Sequence, residues 1–170
     1  MSHPQVETFF DPATNTATYL VSDPATGQAA IIDPVLDYEP KGAVVAHDGL
    51  DRLLGEVARR RLDLRWIMDT HVHADHLSGG HWLRERTGAP LVIGSRIADV
   101  QREFAPRFGM DDLPTDGRQF DLLAGDGASF SLGSLPVRVM HTPGHTPACV
   151  TYVIGDAAFV GDTLFQPDYG

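Results

Sequence analysis

The stretch THVHADHLSGG, Thr70 to Gly80, follows directly on the apolar run LRWIMD at 64–69. Its positions from His71 to His76 hold three imidazoles and a carboxylate. Residues two apart point to nearly opposite faces of a helix but share a face of an extended segment. His71 and His73 therefore form a two-toothed ligand only if this segment is strand or loop, and the apolar run before it reads as a buried strand. His76 swings back toward the pair if the chain turns helical after Ala74. Asp75 and His76 then face a second point nearby, a spacing that suits one or two metal ions.

Two later stretches offer the ligands needed to close such a site. MHTPGHTPACV, Met140 to Val150, supplies His141 and His145 on a Thr-Pro-Gly-His turn at the end of the apparent strand LPVRVM. Loops at strand ends are frequent carriers of function. AAFVGDTLF, Ala157 to Phe165, supplies Asp162 at the close of an apolar run. A carboxylate beside histidines suits a hard divalent ion such as Fe(II) or Mn(II), or bridges two ions.

Around these stretches the chain reads as strands, then a β/α middle, then strands again. VETFF, TATYLVS and QAAIIDP are expected strands, separated by DPATN and DPATG turns. VLDYEPKGAVVAHDG (35–49) reads as a loop. Leu50, Leu53, Leu54, Val57 and Ala58 have helical spacing, with Asp48 as N-cap. A helix over 77–89 ending at Gly88, a strand PLVIG, and a helix over 95–105 capped by Ser95 follow. PRFGMDDLPTDGRQF (106–120) is an expected exposed loop, with a lid or dimer contact as the alternative for 102–117. FDLLA, ASFSLG, LPVRVMH, ACVTYVIG and AAFVGD are expected strands. This order predicts a layered α/β (α+β) fold with a mixed sheet.

Composition limits the function classes. The 170 residues, 42% hydrophobic and 21% charged, suit one globular domain with a core of its own. A net charge of −10 argues against a nucleic-acid partner, which needs a basic face. The single cysteine, Cys149, permits no intrachain disulfide and reads as a small buried hydrophobe. No signal peptide is visible and no apolar run has the length of a membrane span, so the expected location is the cytoplasm. His47 and His81 read as surface polar residues. Asp33, in IIDPV, reads equally as a turn former or as a support for the site.

Taken together, THVHADH, TPGHT and GDTLF in this order resemble the metallo-β-lactamase superfamily. More closely, IIDPVLDYEP, THVHADHLSGG, HTPGHTPACVTYVIGDAAFVGDTLF and QPDYG resemble its persulfide dioxygenase (ETHE1-like sulfur dioxygenase) branch, which includes bacterial β-lactamase-like hydrolases. The glyoxalase II thioesterases are the nearest relatives outside that branch. The resemblance implies a four-layer αββα sandwich with the metal at one edge, between the sheets. It implies one Fe(II) held by His71, His145 and Asp162, a two-histidine-one-carboxylate triad that leaves positions open for O₂ and substrate. The substrate it implies is a glutathione-type persulfide, oxidised to sulfite with release of the thiol.

In the glyoxalase II-like alternative, with Zn or Mn, His73 joins the first site. Asp75 and His76 then hold a second ion that Asp162 bridges. His141 is expected behind the ligands, orienting the loop. The sequence departs from the family in two places. Ala148 stands where relatives often have Gly, and the chain ends at Gly170, before the family's last histidine and the remaining strands and helices. By this reading residues 1–170 are the larger N-terminal part of a domain. A homodimer, a completing C-terminal fragment, or an inactive piece needing a partner are the corresponding expectations. No membrane partner is expected.

Overall fold

The computed structural model describes residues 3–165 and Pro167, so nearly all of QPDYG lies outside the described residues. Among the described residues, two large sheets, a small three-stranded sheet and one helical layer make up the structure. The larger sheet begins as an antiparallel meander of β1 (Gln5–Asp11), β2 (Thr16–Ser22) and β3 (Gln28–Ile32). It continues with the parallel strands β6 (Asp63–Met68), β8 (Leu91–Gly94) and β9 (Leu122–Ala124). The strand order is β1-β2-β3-β6-β8-β9, the mixed sheet expected from the β/α middle of the chain. The second sheet is an antiparallel run of β10 (Ser129–Leu132), β11 (Leu135–His141), β12 (Val150–Ile154) and β13 (Ala157–Phe159).

Strand alternation divides the core. In β3, Ala29 and Ile31 face helices α1 (Asp48–Arg59) and α2 (Gly80–Thr87), where they meet Leu50, Leu53 and Leu83. Ala30 and Ile32 face the other way, against Leu132, Val137, Val139, Tyr152 and Ile154 of the second sheet. The larger sheet is thus buried on both faces, as a parallel sheet requires. Helix α3 (Ile97–Phe104) closes a smaller cluster of Ile93, Ile97, Val100 and Ala148. Three layers, helices, sheet and sheet, are present among the described residues. No helix of the described residues is long and apolar enough to cross a membrane.

Four local expectations are corrected. Residues 35–49 are no plain loop: β4 (Val35–Glu39) and β5 (Val44–Ala46) form a hairpin. The Glu39 carboxylate accepts the backbone N–H groups of Lys41 and Gly42 and so closes that turn. Leu77–Ser78 is a short strand, β7, which pairs with β4 and delays the start of α2 to Gly80. Asp48 lies in the first turn of α1 rather than at its cap, where its charge complements the helix's positive end. Ser95 does not cap α3: its N–H pairs with the Ala124 carbonyl at 2.9 Å just past β8, and the helix begins at Ile97 with Arg96 at the cap position.

Candidate metal centre

The centre lies at the ends of strands from both sheets. β6 delivers Asp69, Thr70 and His71; the β11–β12 loop delivers His145; and a 3-10 turn after β13, Gly161–Thr163, delivers Asp162. One donor atom each from His71, His145 and Asp162 lies within 4.8 Å of the other two. Asp162 Oδ2 is 3.9 Å from His71 Nε2 and 3.5 Å from His145 Nε2. His71 is buried, and its Nε2 has no hydrogen-bond partner among the described residues. Leaving a buried polar atom unpaired costs about 1–3 kcal/mol, so an orphan of this kind calls for an explanation. Two imidazoles and a carboxylate match the donor set that hard and borderline divalent ions take.

A second group, His73, Asp75 and His76, meets the same distance criterion. The chain after Ala74 bends without becoming helical, yet the His73 and His76 rings still approach to 4.2 Å. His76 Nδ1 is 3.3 Å from Asp75 Oδ1, and its Nε2 is a second buried atom without a hydrogen-bond partner among the described residues. His71 and His73 do share a side, with ring centroids 4.0 Å apart, but their nitrogens serve different groups.

Asp33 holds the cluster from behind, which favours the supporting role over that of a plain turn former. Its φ is +50°, and both carboxylate oxygens are engaged. Oδ1 accepts from the Thr70 N–H at 2.7 Å and lies 3.2 Å from His73 Nε2, while Oδ2 accepts the Thr70 hydroxyl at 2.9 Å. Asp69, Thr70 and Ser78 also take part, and the sequence reading missed all three. Asp69 is buried and accepts from the Ser78 hydroxyl, and its carbonyl accepts from the Tyr152 hydroxyl. The signal for them was position alone: they flank the histidine motif.

Burial and the neighbouring His73 lower the His71 imidazole to about 4, so it is neutral at pH 7, the form a metal ligand needs. Burial also lowers His76. Burial acts on His73 in the same sense, but the hydrogen bond and charge of Asp33, with Asp69 and Asp75 beyond, outweigh it and raise the group. Burial, reinforced by Asp33, lifts Asp69 to about 7.

His141 is placed at the base of the ligand loop. Its Nε2 donates to the Pro147 carbonyl at 2.9 Å and so spans the turn that carries His145. The Thr142 hydroxyl contacts the hydroxyls of Thr151 and Thr163, tying that loop to the Asp162 turn. Cys149 is buried, 3.1 Å from the Thr146 hydroxyl. His81 is exposed and contacts Arg84, and His47 stacks on Trp82. Ala148 is buried in the α3 cluster. A cavity of about 420 Å³ backs the histidines, walled by Val72, Leu77, Leu91, Ile93 and Phe120.

Residues 11–170 match the metallo-beta-lactamase superfamily. Over 167 residues the chain is 48% identical to a beta-lactamase hydrolase-like protein of Agrobacterium fabrum, covering 98% of this chain and 39% of that protein. It is 34% identical over 157 residues to the mitochondrial persulfide dioxygenase ETHE1 of Homo sapiens, covering 91% of this chain and 50% of that one. The crystal structure of ETHE1 from Myxococcus xanthus superposes with a TM-score of 0.74 at 34% identity, over 95% of this chain and 59% of that chain. The chain thus spans half or less of the length of these two curated relatives. With its mixed sheet packed between helices and an antiparallel sheet, its histidine and aspartate clusters and this match along nearly its whole length, the chain belongs to the metallo-beta-lactamase superfamily.

Proposed function

We propose that this chain carries the metal centre of an iron-dependent persulfide dioxygenase, in which His71, His145 and Asp162 hold one Fe(II). The observation that carries this reading is the convergence of these three donors on one point, with the buried His71 Nε2 otherwise unpaired. The likeness to the human persulfide dioxygenase supports it. Iron, when bound, would supply the redox chemistry by which a glutathione-type persulfide, O₂ and water give sulfite and free thiol. The residues of this chain would position and shield that chemistry. His71 offers a neutral nitrogen from the interior, Asp162 offers the negative charge, and His145 closes the group from the half-open side. Residues 1–170 would then be the larger N-terminal part of the catalytic domain.

One observation favours a second reading, a two-metal thioester hydrolase. His76 Nε2 is also buried and unpaired, beside His73 and Asp75. Metal analysis and substrate turnover separate the two. The dioxygenase reading expects about one iron per chain after anaerobic loading. It also expects O₂ uptake on addition of glutathione persulfide, and loss of both in His71→Ala. Roughly two zinc ions per chain with turnover of S-lactoylglutathione would favour the hydrolase. Absence of O₂ uptake by the iron-loaded protein, with the domain complete, would overturn the dioxygenase.

A further inference from the structure

A histidine can ligate a metal through Nε2 only if that nitrogen carries a lone pair, and the partner of the other nitrogen decides whether it does. For His71 that partner is Thr70. The Thr70 hydroxyl lies 2.9 Å from Asp33 Oδ2 and 3.0 Å from His71 Nδ1. All three residues are buried: Thr70 is 1%, Asp33 4% and His71 1% exposed. A hydroxyl has one proton to donate, and a carboxylate can only accept. If the hydroxyl turned its proton toward His71, two buried oxygens would face each other at 2.9 Å with no proton between them. The Thr70 proton therefore goes to Asp33, and the contact to His71 must be a donation from His71 Nδ1–H.

We infer that Thr70 is a positioning residue for His71: its hydroxyl, committed to Asp33, fixes the Nδ1–H tautomer and leaves the Nε2 lone pair aimed at Asp162 and His145. The hydroxyl has no other place to go. A Cβ on Gly161 would lie 2.2 Å from it, so the backbone of the Asp162 turn is pressed against it. The backbone adds a further restraint. The Thr70 N–H is bound to Asp33 Oδ1 at 2.7 Å, and the Thr70 carbonyl accepts the Val150 N–H at 2.9 Å. Thr70 is thereby held from both sheets, with its hydroxyl in reach of both Asp33 and the His71 ring.

The consequence of this arrangement for metal binding rests on the reading of His71, His145 and Asp162 as ligands; the tautomer itself does not. The test begins with ¹⁵N-labelled histidine in the metal-free protein, the His71 signals being assigned by their loss in His71→Gln. The wild type is expected to show the proton of His71 on Nδ1. Thr70→Ser keeps the hydroxyl and should keep that tautomer. Thr70→Val has the same shape without the hydroxyl and should move the proton to Nε2. Zinc titration of the same proteins should then show Thr70→Val binding about tenfold or more weakly, with Thr70→Ser close to wild type. A wild-type proton on Nε2, or a Thr70→Val protein that keeps the Nδ1–H form or binds zinc as tightly as wild type, would overturn the inference. Should Thr70→Val fail to fold, the wild-type spectrum decides alone. Absence of zinc binding by the wild type would count against the ligand reading, while the spectrum would still test the tautomer.

Discussion

At the scale of single residues, the centre depends on a close approach that one side-chain atom would block. Gly161 has φ of +49°, and a Cβ there would lie 2.2 Å from the Thr70 hydroxyl and 3.4 Å from His71 Nδ1. Glycine serves twice at this position, adopting a left-handed conformation and admitting the neighbouring strand end. Gly161→Ala is therefore expected to cost about 1 kcal/mol or more, since both the backbone strain and the contact oppose folding. A lowered urea midpoint with an unchanged slope would show it, and an unchanged midpoint would refute it. The glycine before Asp162 is plain in the sequence. The atom it must avoid, on a residue 91 positions earlier, is visible only in the fold.

At the scale of elements, the two sheets are joined at the end remote from the metal centre by Asp23, in the β2–β3 turn. This buried carboxylate accepts from the Ala25 N–H, from the Thr26 hydroxyl, and from both the N–H and hydroxyl of Ser134 in the β10–β11 turn. Burial alone would raise its pKa, but these four hydrogen bonds outweigh it and lower the group from 3.8 to about 2. A carboxylate depressed in the folded state stabilises the fold above its unfolded pKa. That contribution fades as pH falls from about 4 toward 2. Asp23→Asn should therefore lose about 1–3 kcal/mol near neutrality. It should also show a shallower loss of stability between pH 4 and 2 than the wild type. Denaturation curves at several pH values test this; parallel pH profiles for the two proteins would refute it. The TATYLVS and QAAII strands and the DPATG turn between them were legible from pattern and turn residues. The pairing of that turn with Ser134 was not, because it joins segments 111 residues apart.

At the scale of the whole molecule, the proposed ligands join the two layers. His71 leaves the larger sheet after β6, whereas His145 and Asp162 leave the second sheet after β11 and β13. An ion held by all three would link the sheets at their edge, opposite the Asp23 junction. Anything that binds only the folded state stabilises it by mass action, about 2.7 kcal/mol at one hundred times the dissociation constant. Added Fe(II) or Zn(II) should therefore raise the unfolding temperature, a chelator should reverse the rise, and His71→Ala should abolish it. An equal metal-induced shift in His71→Ala would exclude His71 as a ligand.

By itself the sequence determined the strand and helix periods of most elements and the chemical character of the centre. Both are local properties: alternation in TATYLVS and helical spacing from Leu50 to Ala58 need no distant partner, and neither does the concentration of imidazoles from His71 to His76. Tertiary structure decided which donors each of those imidazoles lies beside. His71 and His73, two residues apart, fall in different groups, because His71 meets donors from the second sheet while His73 turns to Asp33 and to Asp75 and His76. It also decided the 35–49 hairpin, whose β4 strand gains its other partner from Leu77–Ser78. The physical reason is the same in each case. Propensity and pattern act over a few residues, whereas a buried polar atom takes its partner from whatever the packing of the two sheets brings within about 3 Å.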